Sequence, residues 1–138
     1  PFTLIAESYN GTPASMRAAI ENLGRMPVGG RGRRVAVLGD MLELGPSGPQ
    51  LHKDLAKTVT ENGIDAVFAC GPMMRGLYDS LPSALRGAYA GQASGLEPLV
   101  LDAIRAGDVV TVKGSLGSRM GQIVKAIVAR FPSEPADE

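Results

Sequence analysis

This sequence has too little cysteine, histidine, aromatic surface and net charge for several whole classes of function. A single cysteine, Cys70, excludes an internal disulfide and fits a reducing, cytoplasmic setting. The single histidine, His52, has no Cys/His partners at zinc-ligand spacing. Aromatic residues make up only 4% and Trp is absent, so stacking platforms for nucleic-acid bases are missing. The 14 basic and 14 acidic side chains cancel to a net charge of zero, which removes the electrostatic footprint that phosphate backbones require. No apolar run approaches the roughly 20 residues that span a bilayer. The opening Pro1-Phe2-Thr3-Leu4-Ile5 is too short, and lacks the basic flank, for a signal peptide. Neither Gly-x-x-x-x-Gly-Lys-Ser/Thr nor a Gly-x-Gly-x-x-Gly opening the first helix occurs, so there is no self-sufficient triphosphate cradle or dinucleotide fingerprint. A Ser-His-Asp type triad cannot be assembled either.

What is present is a normal apolar share, 44% of 138 residues, enough for one domain with a sizeable core. The domain is expected over residues 1–131, with a polar tail from Pro132 to Glu138. Because Pro1 opens directly on a strand-like run, the chain reads as a piece of a longer protein.

Continuous apolar runs alternate with helical faces. Strands are expected at Phe2 to Ala6, Arg34 to Leu38, Asp65 to Cys70, Gly87 to Ala90 and Val109 to Val112. Thr12 with Pro13 marks a helix start, followed by Met16, Ala19, Ile20 and Leu23 at helical spacing. Gly45 to Pro49 reads as a turn cluster. Leu51, Leu55, Ala56 and Val59 form the next stripe, closed by Asn62-Gly63, and His52 beside it reads as structural. Met73, Met74 and Leu77 indicate a short helix and its core filler. Ser94 and Glu97 stand at capping-box spacing before a face of Leu99, Val100, Ala103 and Ile104. Met120, Ile123, Val124, Ile127 and Val128 line the last helix. Strand-helix alternation with unbroken apolar strands predicts a three-layer, Rossmann-like α/β fold: a mostly parallel sheet with helices on both faces.

In such a sheet, ligands bind outside the carboxyl ends of the strands. Three polar junctions are expected on that edge. Glu7-Ser8-Tyr9-Asn10-Gly11-Thr12-Pro13 puts a ring and an amide there, although Asn10 can also serve its own turn. Gly39-Asp40-Met41-Leu42-Glu43 puts a carboxylate there, able to accept from a ribose hydroxyl or an ammonium, or to cap a turn; Glu43 is expected to face water. Lys113-Gly114-Ser115-Leu116-Gly117-Ser118-Arg119 combines glycines, donors and a helix start, a combination suited to a carboxylate or phosphate and equally consistent with a plain Gly-rich connection. Cys70 reads as a small buried residue rather than a nucleophile.

Glu7-Ser-Tyr-Asn with Pro13-Ala-Ser-Met16, then Arg34-Val-Ala-Val-Leu-Gly-Asp-Met-Leu-Glu-Leu-Gly45, Leu51-His52 and Val112-Lys-Gly-Ser115 resemble, in order and spacing, the C-terminal domain of the Mur ligases, MurF type. The resemblance implies a cytoplasmic, ATP-dependent ligase of peptidoglycan precursor synthesis. Such an enzyme adds D-Ala-D-Ala to UDP-N-acetylmuramoyl-tripeptide through an acyl phosphate. It implies that ATP and Mg2+ are bound mainly by a central domain. The C-terminal domain, inactive alone, would close over that domain and contribute contacts. Carried over by position, Tyr9, Asn10 and Asp40 would lie on the nucleotide side, and Lys113, Ser115 and Arg119 near the D-Ala-D-Ala carboxylate. Neither a catalytic residue nor a metal ligand is expected in this domain, nor a nucleic-acid or membrane partner. The chain departs from the family pattern at Ala6, where an acidic residue is usual, at Gly11-Thr12 in place of Ala-Asn, and at Leu116 in place of Arg. The last change would shift charge recognition onto Lys113 and Arg119. The alternative reading is a stand-alone Rossmann-like small-molecule binding or scaffold domain without ligase activity.

Overall fold

The structure, a computed structural model, describes residues 2–7 and 11–131. The tail expected over 132–138, and the junction residues Tyr9 and Asn10, lie outside the described residues. Five strands, β1 (Thr3–Glu7), β2 (Arg34–Gly39), β3 (Ala66–Cys70), β4 (Arg86–Ala90) and β5 (Val109–Lys113), form one sheet in the order β1-β5-β2-β3-β4. Every pairing is parallel. The helices are α1 (Pro13–Arg25), α2 (Gly48–Glu61), α3 (Met74–Ser80), α4 (Ala93–Ala103) and α5 (Met120–Arg130).

The strand order dictates the layers. The connections β1 to β2, β2 to β3 and β3 to β4 advance across the sheet, and β4 to β5 returns. Right-handed crossovers therefore place α1, α2 and α3 on one face and α4 on the other. The core divides accordingly. Met16, Ile20, Leu23, Leu55, Val59, Met74 and Leu77 pack on Ala36, Leu38, Val67 and Ala69. On the opposite face Leu96, Val100, Met120, Ile123 and Ile127 pack on Val35, Val37, Phe68, Val110 and Val112. Alternate strand residues serve opposite layers, which is why the strands read as continuous apolar runs.

The helix starts show where local signals hold and where packing overrides them. At α1, Thr12 accepts from the Ser15 backbone N–H while the Ser15 hydroxyl accepts from the Thr12 N–H, a reciprocal capping box. At α4 the expected cap at Ser94 does not form. Gln92, extended at φ −155°, is the cap residue, and its carbonyl receives the Gly95 and Leu96 N–H groups. Ser94 sits inside the first turn because Ala93, Leu96 and Val100 are the residues that reach the core. That phase turns Leu99 outward (42% exposed). Val128 is likewise on the outer side of α5, whose inward stripe is Met120, Ile123 and Ile127. The Gly45 to Pro49 cluster is a 3-10 turn at Gly45–Ser47 running straight into α2 at Gly48.

Candidate functional site at the carboxyl ends of the strands

Because β5 lies between β1 and β2, the three polar junctions are immediate neighbours. Ser115 joins them. Its backbone N–H donates to the Asp40 carbonyl (3.2 Å), and its Oγ accepts from the Leu42 N–H (2.9 Å) and donates to the Gly11 carbonyl (3.4 Å). A Cβ on Gly11 would stand 2.6 Å from that Oγ, so only glycine lets the first junction approach so closely.

Asp40 is almost fully buried. Its carboxylate accepts the Met73 N–H (3.2 Å) and the Met74 N–H (2.9 Å). These are donors at the start of α3 that no intrahelical carbonyl can serve. The carboxylate therefore caps the helix that follows the next strand, β3, rather than its own next turn. Gly71, at φ +106°, passes against this carboxylate with no room for a side chain. Burial, and secondarily the charge of Asp40, push the Cys70 thiol up to about 12. The thiol lies 3.5 Å from Met120 Sδ and is no nucleophile at neutral pH.

His52 is fully buried, and its ring is committed at both nitrogens. Nε2 accepts from the Met41 N–H (2.8 Å), and Nδ1 lies 2.6 Å from the Gly48 carbonyl. A backbone N–H can only donate and a carbonyl can only accept, which assigns the proton to Nδ1.

In front of these loops lies a cleft of about 490 Å³. It is bordered by Asp40 and Leu42 after β2, Gly71 after β3, Gln92 and Ser94 at the start of α4, and Ser118, Arg119 and Gln122 at the start of α5. Two helix amino termini, with their unpaired N–H groups, therefore flank it. Arg119 is exposed and holds a left-handed backbone at φ +63°. It and Glu43 (φ +61°) are the non-glycine residues in that region among those described, an arrangement that costs free energy and needs support from neighbours.

Of the sequence-derived site residues, Asp40 and Arg119 line this cleft and Ser115 stands behind it among the loops. Lys113 is 3% exposed at the end of β5, in register with Glu7 of β1 and Leu38 of β2. Sequence reasoning missed the contribution of β4–α4. Ser94 was legible only as a helix start and Gln92 carried no signal, because nothing local reveals that the second-face helices open onto the same cleft as β2. Among the described residues, no group of three or more His, Cys, Asp or Glu side chains comes together, and no helix is long and apolar enough to cross a membrane.

Comparison with known proteins converges on one family. Residues 1–116 match the family model described as Mur ligase, glutamate ligase domain. The chain is 33% identical over 126 residues to the UDP-N-acetylmuramoyl-tripeptide–D-alanyl-D-alanine ligase of Escherichia coli (strain K12), covering 90% of this chain and 26% of that protein. It is 30% identical over 129 residues to the enzyme of the same name from Bacillus subtilis (strain 168), covering 91% of this chain and 28% of that one. Among solved structures it resembles UDP-N-acetylmuramoylalanyl-D-glutamyl-2,6-diaminopimelate–D-alanyl-D-alanyl ligase from Acinetobacter baumannii. There the TM-score is 0.76 at 26% identity, over 94% of this chain and 27% of the other. The fold is shared with MurF ligase from Thermotoga maritima in complex with ADP (TM-score 0.72, 22% identity, 92% of this chain and 28% of that one). The chain thus spans about a quarter of the length of the relatives it matches.

Proposed function

Because the chain belongs to the Mur ligase family through its glutamate ligase domain, we propose that it is the C-terminal domain of an ATP-dependent ligase that adds D-Ala-D-Ala to UDP-N-acetylmuramoyl-tripeptide. In that reaction the tripeptide carboxylate takes the γ-phosphoryl group of ATP. The amine of D-Ala-D-Ala attacks the acyl phosphate and loses a proton, and the products are the pentapeptide amide, ADP and phosphate. The observation that carries the reading is the cleft at the carboxyl edge of the sheet, lined by the exposed Arg119 at the start of α5 and by the start of α4.

That arrangement suits the terminal carboxylate of a short peptide. Arg119 supplies a charge-assisted donor, and the amino ends of α4 and α5 add positive partial charge. Lys113 and Ser115 shape the loop that carries Arg119. Asp40 acts on the nucleotide side through the start of α3 that it caps, and Tyr9 and Asn10 are assigned to that same side from their sequence positions. The sequence carries no Gly-x-x-x-x-Gly-Lys-Ser/Thr run, and ATP and Mg2+ are assigned mainly to the rest of the longer protein. Closure of this domain over that part would then complete the site, in the cytoplasm where such precursors are made.

The test is phosphate release by the full-length protein. Release should require ATP, the UDP-tripeptide and D-Ala-D-Ala together, and the 138-residue chain alone should release none. Arg119→Ala should raise KM for D-Ala-D-Ala about 10-fold to 100-fold, the equivalent of one lost charged hydrogen bond. An unchanged KM would remove Arg119 from the site, and turnover independent of D-Ala-D-Ala would overturn the ligase reading.

A further inference from the structure

We infer that His52, buried on α2 and outside the cleft, is a positioning residue for this site, an inference that rests on the ligase reading above. Three consecutive residues after β2 each reach a different element. Asp40 caps the start of α3, Met41 donates its N–H to His52 on α2, and Leu42 donates its N–H to Ser115 after β5. Asp40 and Leu42 border the cleft. Met41, the middle residue, has its side chain fully buried, and the imidazole fixes its backbone. His52 thereby sets where the residues on either side of Met41 stand. The same ring donates to the Gly48 carbonyl, at the turn where the loop rejoins α2. One side chain thus pins both ends of the segment from Met41 to Gly48.

Two features separate this role from core filling. First, volume alone would be met by leucine, which leaves the Met41 N–H without its acceptor; that bond is not needed to fill space, and it holds the loop. Second, the pinned segment contains Glu43 at φ +61°. A non-glycine residue keeps that conformation only where its surroundings over-determine it, and the His52 bonds bracket it on both sides.

The experiment compares His52→Leu, which keeps volume and removes both bonds, with His52→Gln, whose amide oxygen can take the place of Nε2. In the full-length protein, His52→Leu should raise KM for D-Ala-D-Ala at least tenfold while kcat falls less than threefold, and His52→Gln should recover to within threefold of the parent. Equal kinetics in all three proteins, or losses in kcat and KM that follow melting temperature without rescue by Gln, would overturn the role. If His52→Leu does not fold, His52→Asn replaces it, being too short to reach the Met41 N–H. A second arm uses 15N spectra of the 138-residue chain. The parent should show the Nδ1-protonated imidazole, and His52→Gln should leave the Ser115 and Gly11 amides in place while the Leu or Asn variant shifts both. Shifts confined to residues next to position 52 would overturn the inference. If the full-length parent does not use D-Ala-D-Ala at all, the ligase reading fails, and these spectra still decide whether His52 sets the loop edge.

Discussion

At the amino ends of the strands the charges of Arg33, Arg34, Asp65 and Asp108 have fixed partners, whereas at the carboxyl ends the charge and backbone strain of Arg119 are left facing a cleft. At the amino ends the Arg33 guanidinium holds the Asp108 carboxylate at 2.8 Å and the Ala103 carbonyl at 2.8 Å, and Asp108 also accepts the Arg105 N–H. Arg34 chelates the Met26 carbonyl with two guanidinium nitrogens, and its own N–H donates to Asp65. Left-handed turns at this end fall on glycines such as Gly63 and Gly107, where they are cheap. At the carboxyl ends Glu43 and Arg119 adopt left-handed backbone themselves. The difference separates two tasks. One end closes the sheet and holds the fold, and the other keeps a charged group displayed at a free-energy cost that the rest of the molecule offsets.

The sharpest way to break this comparison is Asp108→Ala. Removing one partner strands the Arg33 guanidinium and the Arg105 N–H, and urea unfolding should show a loss of about 3 kcal/mol. A loss below about 1 kcal/mol would mean the amino end is not the structural anchor. Burial pushes the Asp108 carboxyl up, but the Arg33 hydrogen bond, the Arg105 N–H and the Arg33 charge outweigh it and hold the group below the usual carboxylate range. A depressed folded value means that its contribution is complete above the unfolded value of about 3.9. The contribution fades as pH falls from there through the folded value. Asp108→Asn should therefore flatten the acid limb of the stability curve below about pH 4.

Gly71→Ala is next in size. It forces a Cβ against the Asp40 carboxylate at a left-handed position, and should cost about 2 kcal/mol with amide shifts at Met73 and Met74. Unchanged shifts there would detach Asp40 from the α3 cap. Ser115→Ala is milder. It removes the Leu42 and Gly11 hydrogen bonds, and thermal unfolding should register about 1 kcal/mol, since water can reach the freed groups. The smallest effect has the opposite sign. Arg119→Gly relieves left-handed strain and should stabilise the domain by about 0.5 kcal/mol, while weakening D-Ala-D-Ala binding in the full-length protein. Stabilisation without loss of binding would show that the strain serves no ligand.

Much of the layer plan was legible because it rests on periodicity. The buried residues Met16, Ala19, Ile20 and Leu23 of α1, the runs of β2, β3 and β5, and the Thr12-Pro13 start were all readable from spacing and capping chemistry. Leu99 and the Ser94 cap were misread for one reason: the α4 face is chosen by contact with the sheet, and several apolar residues in a row leave its phase open. The cleft was half legible. The polar junctions after β2 and β5 were visible, but the β4–α4 side was not, because its residues carry no distinctive chemistry. His52 was visible only as a lone histidine beside a stripe; its two bonds run to backbone groups, which leave no trace in side-chain patterning.

The sequence by itself determined the strand-helix rhythm, the core residues of the strands and of α1, and the polar breaks where a parallel sheet opens, because these follow from local periodicity and turn chemistry. The tertiary structure decided that β5 lies between β1 and β2. That placement brings Ser115 against Gly11 and Leu42; the pairing of β2 with β3 sets Asp40 against the start of α3, and the packing of α2 lets His52 hold the loop between them. The reason is physical: strand order is settled by which crossovers bury both faces of the sheet at once, a property of the whole chain that no local segment encodes.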